Sequence, residues 1–547
     1  MRNFLNGLII YLLFFISNCL ASGIHIRLNQ VGYLLTDQKI GVVLSDQNLD
    51  KNKFEIISVQ TGKAVHSGQL RRTQKRLNNF DFIYDFSFTE FKSRGEFSVR
   101  IKDSDSFPFE VGASTYVGLV DTLLQFFKVQ RCGFTSPFFH DICHKADATS
   151  LLFGKRVNRQ TEDVTGGWHD AADYIKFFNT IAYTTYTLLF SYDYDNQKFE
   201  SDKDKDGAPD ILQECRVGLD WLHRAHFRDD LFITQVQDMR DHEVGWRLPE
   251  NDPLEFDRPA FTGTGKNLIG IYSATMALAS RIWRTRFQDI EFADRCLASA
   301  KQTYDLRNDV PDLDKSGTGM YQDSKFEGKL ALGAIELYIS TGGQEYFDDA
   351  VSYARSAGSD YWWSWGDINS YAHYRIAKYD PIFRDFIRQN LDHFRNSSRK
   401  KLFMEGADYS WGTNHTLMGV ALQAILYKQL TRSSEYDSLL YAQRDFVLGK
   451  NQWGVSFIHN VGSNFTKNFH HQISYLKNGY LPGGFAAGPV PKNALDSYKI
   501  QYEKRDKYIS FQTEEGVYRD DRMDYVSNEP TIVANAAAIF VMAYFIK

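Results

Sequence analysis

The sequence predicts a multidomain chain, with a small antiparallel β-sandwich over residues 23–112 followed by a much larger all-α region over 113–547. Three observations carry this. The chain has 547 residues, too many for one small core. From about Ile24 to Val111 apolar residues recur with period two, as in Phe80, Phe82, Tyr84, Phe86 and Phe88 and then Phe97, Val99 and Ile101. Beyond Gly112-Ala113-Ser114 the period becomes helical.

The first 22 residues read as a signal peptide. Arg2 supplies the positive start, Leu8 to Ile16 the apolar run, and Ala21-Ser22 the small residues at which cleavage is expected. The run falls short of the ~20 residues that a membrane span needs. A secreted or periplasmic protein is therefore expected, with no transmembrane span in the mature chain. A lipid anchor on Cys19 is the secondary reading, and Asn18 before it fits poorly. In the sandwich, Ser93-Arg94-Gly95 supplies a turn between two alternating runs. Helices are expected at Tyr116–Lys128, Ile211–Ala225, Leu268–Trp283, Lys329–Ser340 and Leu417–Leu430, with Gly342-Gly343 as a helix stop. Some 430 residues of helix and long loop, with no strict repeat, suit a closed array of helical hairpins.

A net charge of −5 gives no reason to expect a nucleic-acid partner. The 15% of aromatic residues favours sugar binding only modestly, because large cores use aromatics as well. Two acidic motifs say more. The first is Gly166-Gly167-Trp168-His169-Asp170-Ala171-Ala172-Asp173-Tyr174. The second runs from Tyr518 through Asp520, Asp524-Tyr525 and Asn528-Glu529 to Asn535-Ala536. Glycosidic hydrolysis needs two carboxyls, one ionised and one protonated, and folding can bring two distant motifs into one site. Read alone, Asp170 and Asp173 could equally cap a helix N-terminus.

These motifs resemble the nucleophilic-water and acid motifs of family 9 glycoside hydrolases, mainly cellulases. Arg27-Leu28-Asn29-Gln30-Val31-Gly32-Tyr33 is similar to the start of the immunoglobulin-like module before many such enzymes. Trp411-Gly412-Thr413-Asn414 and Phe446-Val447-Leu448-Gly449-Lys450-Asn451 also look family-like. The resemblance implies an Ig-like β-sandwich, an (α/α)6 barrel and an inverting mechanism. Asp173 would be the general base, Asp170 would help hold the water, and Glu529 would be the general acid. Asp520 would support the site, and its charge is one candidate for raising the Glu529 pKa. His470 would be the counterpart of a family histidine, but Gln472 stands where arginine is expected, which removes a fixed charge and its planar donor fork. His242 and Trp246, in a stretch resembling a cleft loop, and Tyr525 are expected sugar contacts. Trp362, Trp363 and Trp365 read as core with one exposed platform.

Two metal sites are expected. Cys132, Cys143, His144 and His169 have the donor types of a four-coordinate structural zinc, the alternative being a Cys132–Cys143 disulfide. Asp202, Asp204, Asp206 and Asp210 have calcium-loop character, although Gln213 replaces the bidentate glutamate of an EF-hand. The leading function is an exported, monomeric endo-β-1,4-glucanase acting on cellulose or a related β-glucan. The alternatives are an exo-acting enzyme on amino-sugar (chitosan) oligomers and an inactive carbohydrate-binding protein.

Overall fold

The computed structural model describes residues 23–77, 79–159 and 161–547. The expected signal peptide and Cys19 lie outside the described residues. Ten strands form the N-terminal sandwich: β1 (Ile24–Arg27), β2 (Gly32–Tyr33), β3 (Ile40–Ser45), β4 (Lys53–Ser58), β5 (Ala64–Gln69), β6 (Arg71–Arg72), β7 (Phe82–Ser87), β8 (Gly95–Ile101), β9 (Ser104–Asp105) and β10 (Phe109–Val111). One sheet has the order β1-β3-β7-β6. The other runs β2-β10-β8-β4-β5, with β9 paired to β8. Pairing is antiparallel except between β10 and β2, which run parallel and correct the all-antiparallel expectation.

Alternation has a double use in β3 and β7. Val43, Tyr84 and Phe86 enter the sandwich core, whereas Val42, Leu44 and Ile83 belong to the core of the helical region. The first sheet is thus buried on both faces, and the two regions pack through it. The quoted N-terminal motif completes this interface. The Gln30 backbone N–H donates to the Leu448 carbonyl at 2.9 Å, and Asn29 Nδ2 donates to Asp445 Oδ1 at 2.9 Å. Arg444, fully buried, pairs with Asp37 at 2.7 Å and with Asp445 at 2.8 Å. Two separate sequence motifs are therefore the two halves of one contact.

The helical region comprises α1 (Leu119–Gln130), α2 (Phe178–Tyr194), α3 (Asp210–Ala225), α4 (Lys266–Ile282), α5 (Ile290–Asp305), α6 (Glu327–Thr341), α7 (Gln344–Ala357), α8 (Asn369–Ile376), α9 (Arg384–Ser398), α10 (Thr413–Thr431), α11 (Asp437–Val447), α12 (Gln472–Leu476), α13 (Lys492–Ser497) and α14 (Ile532–Tyr544). Each of the five predicted helices is present, with ends shifted. Helix α1 begins at Leu119 rather than Tyr116, behind Gly118 in a left-handed conformation. The helices fall into two kinds. α2, α4, α6, α8, α10 and α14 are buried almost all round, whereas α5, α7 and α9 bury one stripe. The buried helices pack on one another, α2 on α4, α4 on α6, α6 on α8, α8 on α10, α10 on α14 and α14 on α2.

A five-stranded sheet of β11 (Ser150–Phe153), β12 (Arg156–Asn158), β13 (Lys176–Phe177), β14 (Phe232–Val236) and β15 (Pro259–Gly263) was not foreseen. Its strands have two to five residues, too few for a period to register. No helix among the described residues is long and apolar enough to cross a membrane.

Replacing Asp37 by alanine leaves the buried Arg444 guanidinium with one carboxylate fewer. Removing one partner of a buried pair costs about 3–5 kcal/mol. Denaturant unfolding of Asp37→Ala is expected to show a loss of that order.

Candidate active site

Strand β13 and helix α2 fix the end of the first acidic motif. Gly166 and Gly167 both take left-handed φ, at 89° and 71°, and a Cβ on Gly167 would meet the Trp221 ring at 2.8 Å. The chain turns there and runs as loop until Lys176. Asp170 and Asp173 lie in this loop and do not cap α2, which starts at Phe178. The Asp170 N–H donates to the Ile175 carbonyl at 3.0 Å, and its own carbonyl accepts from Ile532 N at 3.1 Å. That second bond ties the loop to the start of α14, three residues after Glu529.

Glu529 meets the loop at Ala172, whose N–H donates to Glu529 Oε1 at 3.2 Å. Asp173 Oδ1 accepts from Ile175 N at 3.0 Å, and Oδ2 sits 3.0 Å from His242 Nε2. Burial and then the nearby Asp173 charge push the Glu529 carboxyl well above its usual pKa range, opposed by the Ala172 N–H. Its perturbing charges are Asp173 and Asp170, not Asp520, which corrects that part of the expectation. Asp520 instead accepts from Lys467 N and Asn468 N at 3.0 and 2.7 Å and pairs with Lys507 at 2.8 Å. It fixes the loop before His470. Burial raises Asp170 to about 7. Donating to the Asp173 carboxylate raises His242, whereas burial lowers His470.

These groups line a cleft with about 1020 Å³ of atom-free space. Asp173, Glu529, His242, Trp246, His470, Gln472 and Tyr525 all face it. Asp170 lies just behind it, buried. Trp411, noted only as part of a motif, also lines the cleft, as do Met239, Asp241 and Met320. Aromatic rings run continuously along it: Tyr498 and Tyr525 flank Trp411 at 5.5 and 6.1 Å, Tyr525 lies 5.8 Å from His470, His470 5.3 Å from Trp246, and Trp246 5.1 Å from Tyr475. Trp363 is fully buried and Trp362 and Trp365 partly so; none is the exposed platform expected there.

Beneath the loop lies a chain of buried charges. Arg247 pairs with Asp241 at 2.5 Å and Asp252 at 2.9 Å. Arg258 reaches Asp252 at 3.6 Å and Asp147 at 2.5 Å, and Lys176 closes on Asp147 at 2.7 Å. Three of its members hold loop backbone: Tyr174 N donates to Asp241, Arg258 donates to the Tyr174 carbonyl, and Lys176 donates to the Val164 and Gly166 carbonyls. Asp147, Lys176, Arg247, Asp252 and Arg258 were not singled out in the sequence, because they belong to none of the motifs read there.

Cys132, Cys143, His144 and His169 converge, with one donor atom of each within 4.8 Å of the others and all four residues buried. Both cysteines are free, so the disulfide alternative does not hold. His144 Nδ1 faces the group while Nε2 lies 3.1 Å from Asp252 Oδ2, the carboxylate–histidine pairing typical of metal ligands. The acidic loop is different. Asp202, Asp204 and Asp206 come together, but Asp210 does not join them. It opens α3, where its carboxylate accepts from Ser201 Oγ at 3.2 Å and lies 3.9 Å from Lys128. The other three accept largely from nearby backbone N–H groups and Gln213, as in an ordinary surface turn.

A cleft of this kind, walled by rings and bearing a buried, proton-retaining carboxyl beside a second carboxyl paired with an imidazole, is the site of a glycoside hydrolase. Residues 116–542 match Glycosyl hydrolase family 9, and residues 21–106 match the Cellulase N-terminal ig-like domain. The chain belongs to glycosyl hydrolase family 9, and it is an inverting glycoside hydrolase. It is 24% identical to a cellodextrinase of Butyrivibrio fibrisolvens, over 95% of this chain and 99% of that relative. A solved metagenome-derived glycoside hydrolase family 9 endoglucanase superposes with a TM-score of 0.82 at 25% identity, covering 96% of this chain and 99% of that one. A Zn-binding triple mutant of family 9 endoglucanase J30 superposes with a TM-score of 0.80 at 22% identity, covering 94% and 99%.

Proposed function

We propose that this protein is an exported, monomeric endo-acting hydrolase of β-1,4-linked glucans, with Asp173 as general base, Asp170 holding the attacking water and Glu529 as general acid. The observation that carries this reading is the meeting of Glu529 with the Asp170–Asp173 loop in one aromatic-walled cleft. Water attacks the anomeric carbon from the face opposite the leaving oxygen. Asp173 takes its proton, and Glu529 gives a proton to the departing oxygen. Inversion requires these carboxyls about 6.5–9.5 Å apart, leaving room for the water. His242, Trp246, His470 and Tyr525 are assigned sugar contacts, and Asp520 supports the loop beside them. The names of the cellodextrinase and endoglucanase relatives support the substrate class. The row of neighbouring rings from Tyr498 through Trp411, Tyr525, His470 and Trp246 to Tyr475 supports internal cleavage.

The successive packing of six buried helices supports closure into an (α/α)6 barrel. The last sandwich strand at Val111 and the first helix at Leu119 support domains of 23–112 and 113–547. Zinc is assigned to Cys132, Cys143, His144 and His169. Four protein donors leave no open position, so bound zinc would supply a fixed tetrahedral cross-link and no hydrolytic chemistry. The donor set fits: two thiols and two imidazoles converge, and Asp252 orients His144. His169, by its backbone, then anchors the neighbouring Asp170.

A second reading has one observation in its favour. The cleft lining contains Asp173, Asp241 and Glu529 but neither lysine nor arginine, which suits a cationic amino sugar. Products over time from cellohexaose and from a glucosamine hexamer separate the two readings. Intermediate lengths with inverted anomers from cellohexaose are expected. Monomer shed stepwise from the glucosamine hexamer, with cellohexaose untouched, would establish the second.

Glu529→Gln is expected to lower kcat by about a hundred- to ten-thousand-fold. A carboxyl whose folded pKa is raised contributes full stability below the ordinary carboxylate range and loses it as pH climbs to the folded value. Glutamine lacks that ionisation. The Tm of Glu529→Gln relative to the unmodified enzyme is therefore expected to rise with pH above that range.

Elemental analysis of the purified enzyme is expected to give one zinc per chain. Cys132→Ser should lose it together with thermal stability, and a chelator should lower the Tm of the unmodified enzyme but not of the variant.

A further inference from the structure

Gln472 opens α12, is buried, and uses both halves of its amide. Its Nε2 donates to the Ala172 carbonyl at 3.2 Å, and its Oε1 accepts from the Arg247 backbone N–H at 3.0 Å. Ala172 is the residue whose own N–H donates to Glu529. One of its peptide groups is thus tied to Glu529 and the other, which leads directly into Asp173, to Gln472. Arg247 closes the segment that carries His242 and Trp246. The preceding residue acts in the same direction: His471 Nε2 lies 2.7 Å from Gln130 Oε1, and Gln130 Nε2 donates to the His169 and Ala171 carbonyls.

We propose that Gln472 is a positioning residue, whose amide fixes the Ala172–Asp173 peptide against Glu529 and so sets the gap in which water and the scissile bond meet. This rests on the assignment of Asp173 and Glu529 made above. Gln472 meets these partners with a side chain that donates to a carbonyl and accepts from an N–H at once. Glutamate keeps the acceptor but has no donor when ionised, arginine and lysine have no acceptor, and methionine has neither strong group.

The test is steady-state kinetics of Gln472→Met and Gln472→Glu, with Asp173→Asn and Glu529→Gln in parallel. The substrate is whichever of cellohexaose and glucosamine hexamer the unmodified enzyme cleaves faster. A misplacement near 1 Å costs about a hundredfold. The expected result for Gln472→Met is a kcat lower by about ten- to a hundredfold, with KM within about threefold and the protein still fully folded at the assay temperature, its Tm lowered only modestly. Gln472→Glu should lose a comparable factor although it keeps the Arg247 contact, and it carries the test if the methionine variant does not fold. A raised KM at constant kcat would make Gln472 a sugar contact and overturn the proposal. Unchanged kinetics, or a loss that follows unfolding, would also overturn it. If Asp173→Asn and Glu529→Gln stay active, the carboxylate assignment falls and this role falls with it. If those two are inactive while Gln472→Met resembles the unmodified enzyme, only the role of Gln472 is lost.

Discussion

The buried sequence of alternating charges Asp241–Arg247–Asp252–Arg258–Asp147–Lys176 is what the rest of the site depends on. The loop from Val164 to Tyr174 has no helix or long strand to satisfy its peptide groups, and buried backbone polar groups left unpaired are costly. The network supplies the missing partners at Val164, Gly166 and both sides of Tyr174. Three carboxylates and three cations buried singly would each bear a large desolvation cost. In alternation, with their remaining hydrogen-bonding positions used on backbone, they offset it and impose one geometry. Asp252 extends the same framework to His144 and the Cys/His group. The loop is therefore held from below by charge and from the side by a set of metal-type donors.

This arrangement separates cations from the cleft. Arg247, Arg258 and Lys176 lie under the loop, each committed to carboxylates and carbonyls, and none lines the cleft. Glu529 faces Asp173 and Asp170 with neither lysine nor arginine among the lining residues, so proximity of like charge adds to burial in holding its proton. Asp173 has the opposite surroundings, an imidazole at 3.0 Å and the Ile175 N–H. Two carboxyls joined through a single residue, Ala172, thereby receive different surroundings, burial and like charge for Glu529 and hydrogen-bond donors for Asp173.

What the sequence made legible follows from distance along the chain. Asp170, Asp173 and Glu529 stood in compact motifs, and the Cys/His set could be read from donor chemistry, because those residue types have few common structural uses together. Asp147, Asp252 and Arg258 were not legible: a lone Asp or Arg is ordinary on a surface, and only burial gives it this role. Asp210 shows the reverse error. Alternate acidic spacing followed by glycine suggested a fourth ligand, but the residue opens α3, where a carboxylate already has favourable partners at the helix N-terminus. The short strands β11 to β15 carried too few residues for any period, yet they set the direction of Lys176 and of the segment leading to Asp241.

Arg27–Tyr33 and Phe446–Asn451 looked like independent markers, and the structure makes them one contact between sandwich and helical region. That contact has a consequence for the site. Gln30 Oε1 accepts from Ser463 N and Asn464 N, and Gly454 accepts from both Gln30 and Asn464. The Ser456 carbonyl then accepts from Thr466 N, one residue before the amides that Asp520 holds. From there the chain runs directly to His470, His471 and Gln472. The sandwich is thus more than an appended module, because one of its side chains organises the loop that delivers His470 and Gln472 to the cleft. The physical link is a run of hydrogen bonds from the side chains of Gln30, Asn464 and Asp520 to loop backbone, with one backbone pair between them. It explains why a β domain remote from the carboxylates is built into the same folded unit.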